Sequence, residues 1–297
     1  MWFKNIKIYR LPEDFTIDTA QLQLQLEAMS FKACQSQEIH SMGWVSPIPQ
    51  TDSLFQQANQ DILFKLKRES KLLPASVIND ELNLKVGEFE SESGSPMPKK
   101  AQKDLKEEIT NRLLPQAFSK YSHINGFVSL DKKLVIIDAS SDANAEVFLA
   151  CLRKCLGSLP ALPLAKASQQ HILTDWLMKD CPADVELLDE AEFQSSADNG
   201  GTIKVKKQNL DEDEVLAHIQ AGKLVQKLAI AFSDRLTAII EHDLSVKRIK
   251  FTDIVIEQNE DIPKGDVAVK LDADFVLFAS EIKSFIAKLE NAFELNE

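Results

Sequence analysis

The stretch Met97–Ser122, MPKKAQKDLKEEITNRLLPQAFSKYS, constrains the fold more than any other. Leu105, Ile109 and Leu113 recur at i, i+4 and i+8, which puts a narrow apolar stripe on an amphipathic helix. Lys99, Lys100, Lys103 and Lys106 gather at its start, and Glu108 stands in the favourable i, i+4 order before Arg112. Pro115 removes a backbone donor and biases Leu114 away from helical angles, so the helix kinks or stops there. Val77, Ile78, Leu82 and Val86 also recur at helical spacing, and a Glu/Ser/Gly/Pro-rich run over 88–98 separates the two patterns. Residues 75–122 therefore read as a helical hairpin, with Phe118 and Tyr121 at i, i+3 beyond the proline. Two uses fit it: a peripheral helix packed on its own domain, or an element that closes an interface and holds lysines towards a polyanion.

The segments on either side alternate with period two, so the hairpin reads as an insert in a β-rich unit. Before it come strands at Phe3–Leu11 and Asp61–Arg68, a helix capped by Asp18 or Thr19, and a strand fragment at 42–45. After it come strands at Gly126–Leu130 and Lys133–Asp138, then a helix from about Ala143 to Leu156 stopped by Gly157 and the prolines at 160 and 163. Leu164–Gln170 is a plausible boundary. A short helix at Thr174–Lys179, a segment at Glu186–Phe193, a turn at Asn199–Gly201 and a strand at Thr202–Leu210 follow, and Asp211–Glu214 opens a further helix. Lys223–Phe232, Arg235–Glu241 and Val246–Phe251 form a strand meander. Asp274–Leu295 is an amphipathic helix burying Phe278, Ile282, Phe285, Ile286 and Leu289. The fold class expected is α+β, with antiparallel sheets and packed helices.

The 297 residues have the composition of an ordinary soluble protein, and no apolar run approaches the ~20 residues needed to span a bilayer. The opening Met-Trp-Phe-Lys-Asn reads as the start of a strand and lacks a signal-peptide pattern. Cys34, Cys151, Cys155 and Cys181 are scattered and read as free thiols of a reducing cytoplasm. The net charge of −12 argues against nucleic-acid binding when taken alone. It says little about one concave surface.

No phosphate-cradling glycine loop, metalloprotease helix, nucleophile elbow or paired C-x-x-C is present. Asp272 and Asp274 form the tightest carboxylate pair, which capping of the last helix explains better than a metal. Four basic clusters stand out: Lys65/Lys67/Arg68/Lys71, Lys99/Lys100/Lys103/Lys106, Lys204/Lys206/Lys207 and Lys247/Arg248/Lys250. A solvated face accounts for any one of them. If they bind DNA, they grip phosphate without reading sequence.

Nine segments taken in order resemble one family from end to end. They are MWFKNIKIYRL at the start, MGWVSP (42–47), LLPASVI (72–78), LLPQAFSKYS (113–122), LRKCLGSLPALPL (152–164), LLDEAEF (187–193), IKVKKQNL (203–210), AGKLVQKLA (221–229) and LDADFVLF (271–278). The chain so resembles the bacterial recombination-associated RdgC family, with departures confined to the loop-like Phe89–Pro98 and Lys166–Gln170. The resemblance implies a non-enzymatic, cofactor-free protein that forms a closed homodimeric ring. Duplex DNA passes through its basic hole without sequence preference, and single strands are a further candidate ligand. It implies a role in limiting RecA-dependent recombination and in fork repair, within a cytoplasmic, nucleoid-associated setting.

Carried over by position, Phe118 matches the family's aromatic at the gate between subunits, with Leu113 and Leu114 beside it. Lys207 and Gln208 match its projecting DNA-contact segment. Together with Lys99, Lys100, Lys103, Lys204 and Lys206 they make the expected DNA-binding set. The domains expected are a central α+β domain (1–74 and 123–166), an inserted helical tip (75–122) and a C-terminal α+β base (167–297). The competing reading is a protein–protein adaptor that contacts RecA, with incidental lysines. A metal-dependent nuclease rests only on Asp272 and Asp274.

Overall fold

The computed structural model describes residues 2–179, 181–195, 200–260, 262 and 267–295, so the expected turn at Asn199 lies partly outside them. In chain order the strands are β1 (Ile6–Arg10), β2 (His40–Val45), β3 (Phe55–Ala58), β4 (Asp61–Leu72), β5 (Phe118–Ser129), β6 (Leu134–Asp138), β7 (Leu162–Pro163), β8 (Val185–Ser195), β9 (Thr202–Lys206), β10 (Lys223–Phe232), β11 (Leu236–Glu241) and β12 (Val246–Phe251). The helices are α1 (Thr19–Glu27), α2 (Ala75–Ser93), α3 (Lys99–Leu113), α4 (Asp142–Leu156), α5 (Gln170–Met178), α6 (Asp213–Gln220), α7 (Asp253–Ile256) and α8 (Val267–Ala292). The fold class is α+β, dominated by a large antiparallel sheet. The chain divides into two compact units. One comprises Met1–Leu26, Ser46–Lys65 and Ile124–Glu297; the other comprises Glu27–Val45 and Leu66–His123.

In the first unit the strands run β5-β6-β1-β12-β11-β10-β8-β9, with β3 against β4 and β7 against β1. The β10–β11 register is regular from Lys227↔Glu241 to Phe232↔Leu236. Helix α8 lays Phe275, Phe278, Ile282, Phe285, Ile286 and Leu289 on one face of this sheet, all buried. The spacing of three and four follows the helical period, so one stripe faces the core. Rings interlock there: Phe278 with Phe3 at 4.7 Å between centroids, Phe285 with Phe232 at 5.0 Å, Phe293 with Trp176 at 4.8 Å. Each such buried side chain contributes roughly 1.5–3 kcal/mol, which makes this stripe the main hydrophobic anchor of the unit. On β5, a side chain at Gly126 would meet the Phe148 ring of α4 at 2.6 Å, so this packing demands glycine. Ser141 caps α4, its hydroxyl accepting from the Asn144 amide.

The second unit contains the α2–α3 hairpin, closed by Gly94 in the left-handed region (φ 65°). Ile78 and Ile109 are its buried contacts, Lys106 donates to Asn79 at 3.0 Å, and Arg112 pairs with Glu81 of α2 rather than with Glu108. The hairpin is shorter than its sequence suggests. Helix α3 ends at Leu113, a 3-10 turn carries Pro115, and Phe118 begins β5. Residues 118–122 are thus extended, because the aromatic-rich run past the proline has strand neighbours available to it. The last helix is longer than its apolar stripe announced. Asp272 and Asp274 lie within α8, not ahead of it, accepting from Gln56 (2.6 Å) and Asn259 (3.2 Å). They bridge elements rather than cap a helix.

Candidate nucleic-acid interface

Because α8 covers only one face of β8–β12, side chains on the opposite face reach solvent. Alternation along each strand places Glu190 and Glu192 of β8, Lys204 and Lys206 of β9, Lys227 of β10, Glu241 of β11 and Lys247 of β12 on that face. The registers Glu192↔Lys204, Lys227↔Glu192 and Lys227↔Glu241 set unlike charges opposite one another. A continuous ladder results. Lys204 Nζ lies 3.3 Å from Glu192, Lys227 lies 3.5 Å from Glu192 and 3.2 Å from Glu241, and Lys247 lies 2.7 Å from Glu241. A second rung joins Lys206 (3.6 Å) and Arg248 (2.6 Å) to Glu190. Arg248 gets there from a left-handed backbone (φ 52°), beside a register shift between Thr237 and Ile239. Such a bulge re-aims a side chain.

The ladder is layered. Lys204 and Lys206 are 62% and 61% exposed, while Glu192 and Glu241 are 21% and 10% exposed. Five cations stand over a floor of three carboxylates, leaving a surplus of two positive charges pointing outward. Burial alone would lower the Lys227 ammonium, but its bond to Glu241 and the charges of Glu241 and Glu192 more than offset this and hold it above the ordinary lysine value. The bond from Arg248 holds Glu190 below the usual carboxylate range, against a smaller opposing effect of burial. Both shifts favour the charged forms of Lys227 and Glu190. Solvent-accessible pairs of this kind contribute only about 0–1 kcal/mol each, so stability is a weak reason for the ladder. Preorganised outward cations on a sheet face suit a polyanion better.

The structure divides the expected DNA-binding set into three places. Lys204 and Lys206 join the ladder. Lys207 (φ 54°) and Gln208 lie in the connection that follows β9, and Gln208 donates to Glu212 at 2.8 Å. Lys99, Lys100 and Lys103 are exposed along the first turns of α3, in the other unit. Of the three gate residues, Leu114 is buried within its own unit and Leu113 is half-buried, while Phe118 is 83% exposed. Behind Phe118, Ser119 donates to Glu69 at 2.5 Å, and Glu69 also accepts from the Cys34 amide. Lys67 sits 4.4 Å from the centroids of both Phe31 and Tyr121, a two-sided cation–π contact.

Sequence reasoning missed Lys227 and the three glutamates. A lone lysine at an outward position of an otherwise apolar strand, LVQKLAI, was the available signal for the first. Glu190 and Glu192, two apart in LLDEAEF, were the signal for the floor. Among the described residues, no group of three His, Cys, Asp or Glu side chains is placed to hold a metal ion. No helix among them is long and apolar enough to cross a membrane.

A family model described as "Putative exonuclease, RdgC" matches residues 1–296. The chain is 47% identical over 298 residues to a protein of Pseudoalteromonas atlantica, covering 100% of this chain and 99% of the relative. It is 43% identical over 296 residues to one of Psychromonas ingrahamii, covering 99% and 98%. A protein of Proteus mirabilis is 42% identical over 292 residues, with 97% of each covered. All three are named recombination-associated proteins, so the class is one tied to recombination. The chain belongs to the RdgC family.

Proposed function

We propose that this protein is a sequence-independent DNA-binding protein which closes around duplex DNA as a homodimeric ring and so limits RecA-dependent recombination and acts in fork repair. The observation that carries the reading is the layered ladder on β8–β12, with five cations over three carboxylates and Lys204, Lys206 and Arg248 more than half exposed, on a chain of net charge −12. Cations ordered by a regular strand spacing touch phosphates at any sequence, because they meet no base edge. A ring reconciles an acidic chain with a polyanionic ligand, since the outside can be acidic while the bore is basic. Two-fold assembly presents each ladder twice. The exposed Phe118, at the start of β5, is the aromatic anchor of the gate, and Lys99, Lys100, Lys103, Lys207 and Gln208 add contacts to the DNA backbone. The relatives' shared name, recombination-associated, supports the biological side of the reading. The protein acts without catalysis, at the nucleoid.

The test is a mobility shift on random duplex against unrelated competitors, with the assembly state measured by sedimentation and RecA strand exchange followed in parallel. The reading expects a dimer, equal binding to unrelated sequences and inhibition of exchange. A protein that leaves duplex unshifted at low salt yet still inhibits RecA would replace it with the adaptor.

A further inference from the structure

Each carboxylate of the ladder is shared by two cations. Glu192 lies between Lys204 and Lys227, Glu241 between Lys227 and Lys247, and Glu190 between Lys206 and Arg248. A face whose only task was to hold a polyanion would do so more strongly without them, since each cancels a charge that phosphate would otherwise meet. Glutamine would keep the size and a carbonyl acceptor for the same lysines. Glu192 and Glu241 also sit deeper than Lys204, Lys206 and Lys227.

We infer that Glu192 and Glu241 are affinity-setting residues, built-in competitors of phosphate that keep the grip of this face on a nucleic-acid backbone weak and quickly exchanging. The inference rests on the reading of this face as a DNA contact. When a phosphate approaches Lys227, the ammonium turns from Glu241 and Glu192. When the phosphate leaves, the carboxylates take the ammonium back. No bare charge is left at either stage, so the step from one phosphate to the next is smooth. Duplex binding is driven by counterion release, and here part of the counterion is covalently fixed and is never released. The salt slope should therefore follow the surplus of two rather than the five cations, about −1.8 per face instead of about −4.5. A protein that encircles a duplex keeps its ligand by topology and is free to hold it loosely.

The experiment titrates a short random-sequence duplex across a salt series with three proteins. These are the wild type, Glu192→Gln/Glu241→Gln, and Lys204→Ala/Lys227→Ala/Lys247→Ala. The expected result is that the glutamine variant binds more tightly, on the order of tenfold or more at 0.1 M salt, with a slope steeper by about two, while the alanine variant binds more weakly. Equal or weaker binding by the glutamine variant, with the alanine variant weakened, overturns the inference and leaves the DNA reading standing. An unchanged alanine variant, or a wild type that fails to bind, removes both. Glu241 is nearly buried, so a melting curve accompanies each protein. If the double variant does not fold, Glu192→Gln alone gives the comparison, with a slope change of about one.

Discussion

Arg248 reaches Glu190 across two intervening strands, Nη2 to Oε1 at 2.6 Å, because its backbone sits at a φ of 52° in a bulge of β12. Its amide donates to Asn5 at 3.2 Å, which helps fix the bulge. The left-handed region costs an ordinary residue roughly 1–2 kcal/mol, and more for a β-branched one. Arg248→Gly should therefore leave thermal stability near that of the wild type, the relief of strain offsetting the lost ion pair. Arg248→Val should lower stability by about 1–2 kcal/mol. Melting curves of the two variants check this; equal stabilities would mean the bulge carries no strain.

Leu114 and Phe118 lie four residues apart and should behave in opposite ways. Leu114 is 3% exposed, and Leu114→Ala should cost about 2–5 kcal/mol through lost burial and a cavity. Phe118→Ala should stay within about ±0.5 kcal/mol, since little of the ring is buried in its own subunit. If Phe118 is the gate anchor, the same change shortens the lifetime on closed circular DNA and spares that of a simple end-bound complex. Melting temperature and retention on circles, measured together, separate the two roles.

Lys7 of β1 donates to Asp243 at 2.8 Å and pairs with Asp142 at 2.7 Å, tying the β11–β12 turn and α4 to the first strand. Burial would raise the Asp243 carboxyl, but the bonds from Lys7 and Ser245 outweigh it and bring it from 3.8 down to about 2. A depressed carboxylate adds stability above its unfolded value, and that stability is lost as pH falls through the folded one. The window is therefore about pH 4 down to about pH 2. With 40% of the side chain exposed, solvent screening limits the contribution to about 1 kcal/mol. Asp243→Asn should flatten the acid limb of the stability profile over that window and leave neutral stability lower by a similar amount. An unchanged acid limb would place the titration elsewhere.

Asp272 and Asp274 are engaged with Gln56 and Asn259, and no metal-ligating trio accompanies them among the described residues. Closed circular and linear duplex incubated with the protein and magnesium should both remain intact over the time in which binding is complete. Nicking or end resection that scales with protein, and disappears in Asp272→Asn/Asp274→Asn, would assign this pair a catalytic task.

Much of the framework was legible because it rests on periodicity. The meander from Lys223 to Phe251 and the stripe Phe278–Ile282–Phe285–Ile286–Leu289 follow directly from periods of two and 3.6. The start of α8 at Val267 was hidden, because Val267, Val269 and Leu271 also fit the period-two alternation of a strand, and valine favours one. Phe118 looked helical in spacing, yet Pro115 had already ended the helix and only the presence of neighbouring strands made the segment extended. The ladder was half legible. Lys204, Lys206, Lys247 and Arg248 were conspicuous as runs of like charge, whereas the function of a single Lys227 or of Glu192 depends on which strands pair. The pairings β8–β9, β10–β11 and β11–β12 join neighbours in sequence, but the β8–β10 pairing that sets Glu192 against Lys227 skips β9 and α6 and has no local signal.

The central claim is that the outward cations of the β8–β12 face hold the DNA backbone. The most direct measurement is the salt dependence of duplex affinity for Lys204→Ala/Lys206→Ala/Lys227→Ala beside the wild type. Exposed lysines such as Lys204 and Lys206 change stability by only about ±0.5 kcal/mol, whereas Lys227 is half-buried, so a melting curve establishes that the variant is folded before the comparison. The account predicts weaker binding to every sequence by a similar factor, and a shallower slope of log K against log salt. An unaltered affinity and slope in the folded variant would contradict it.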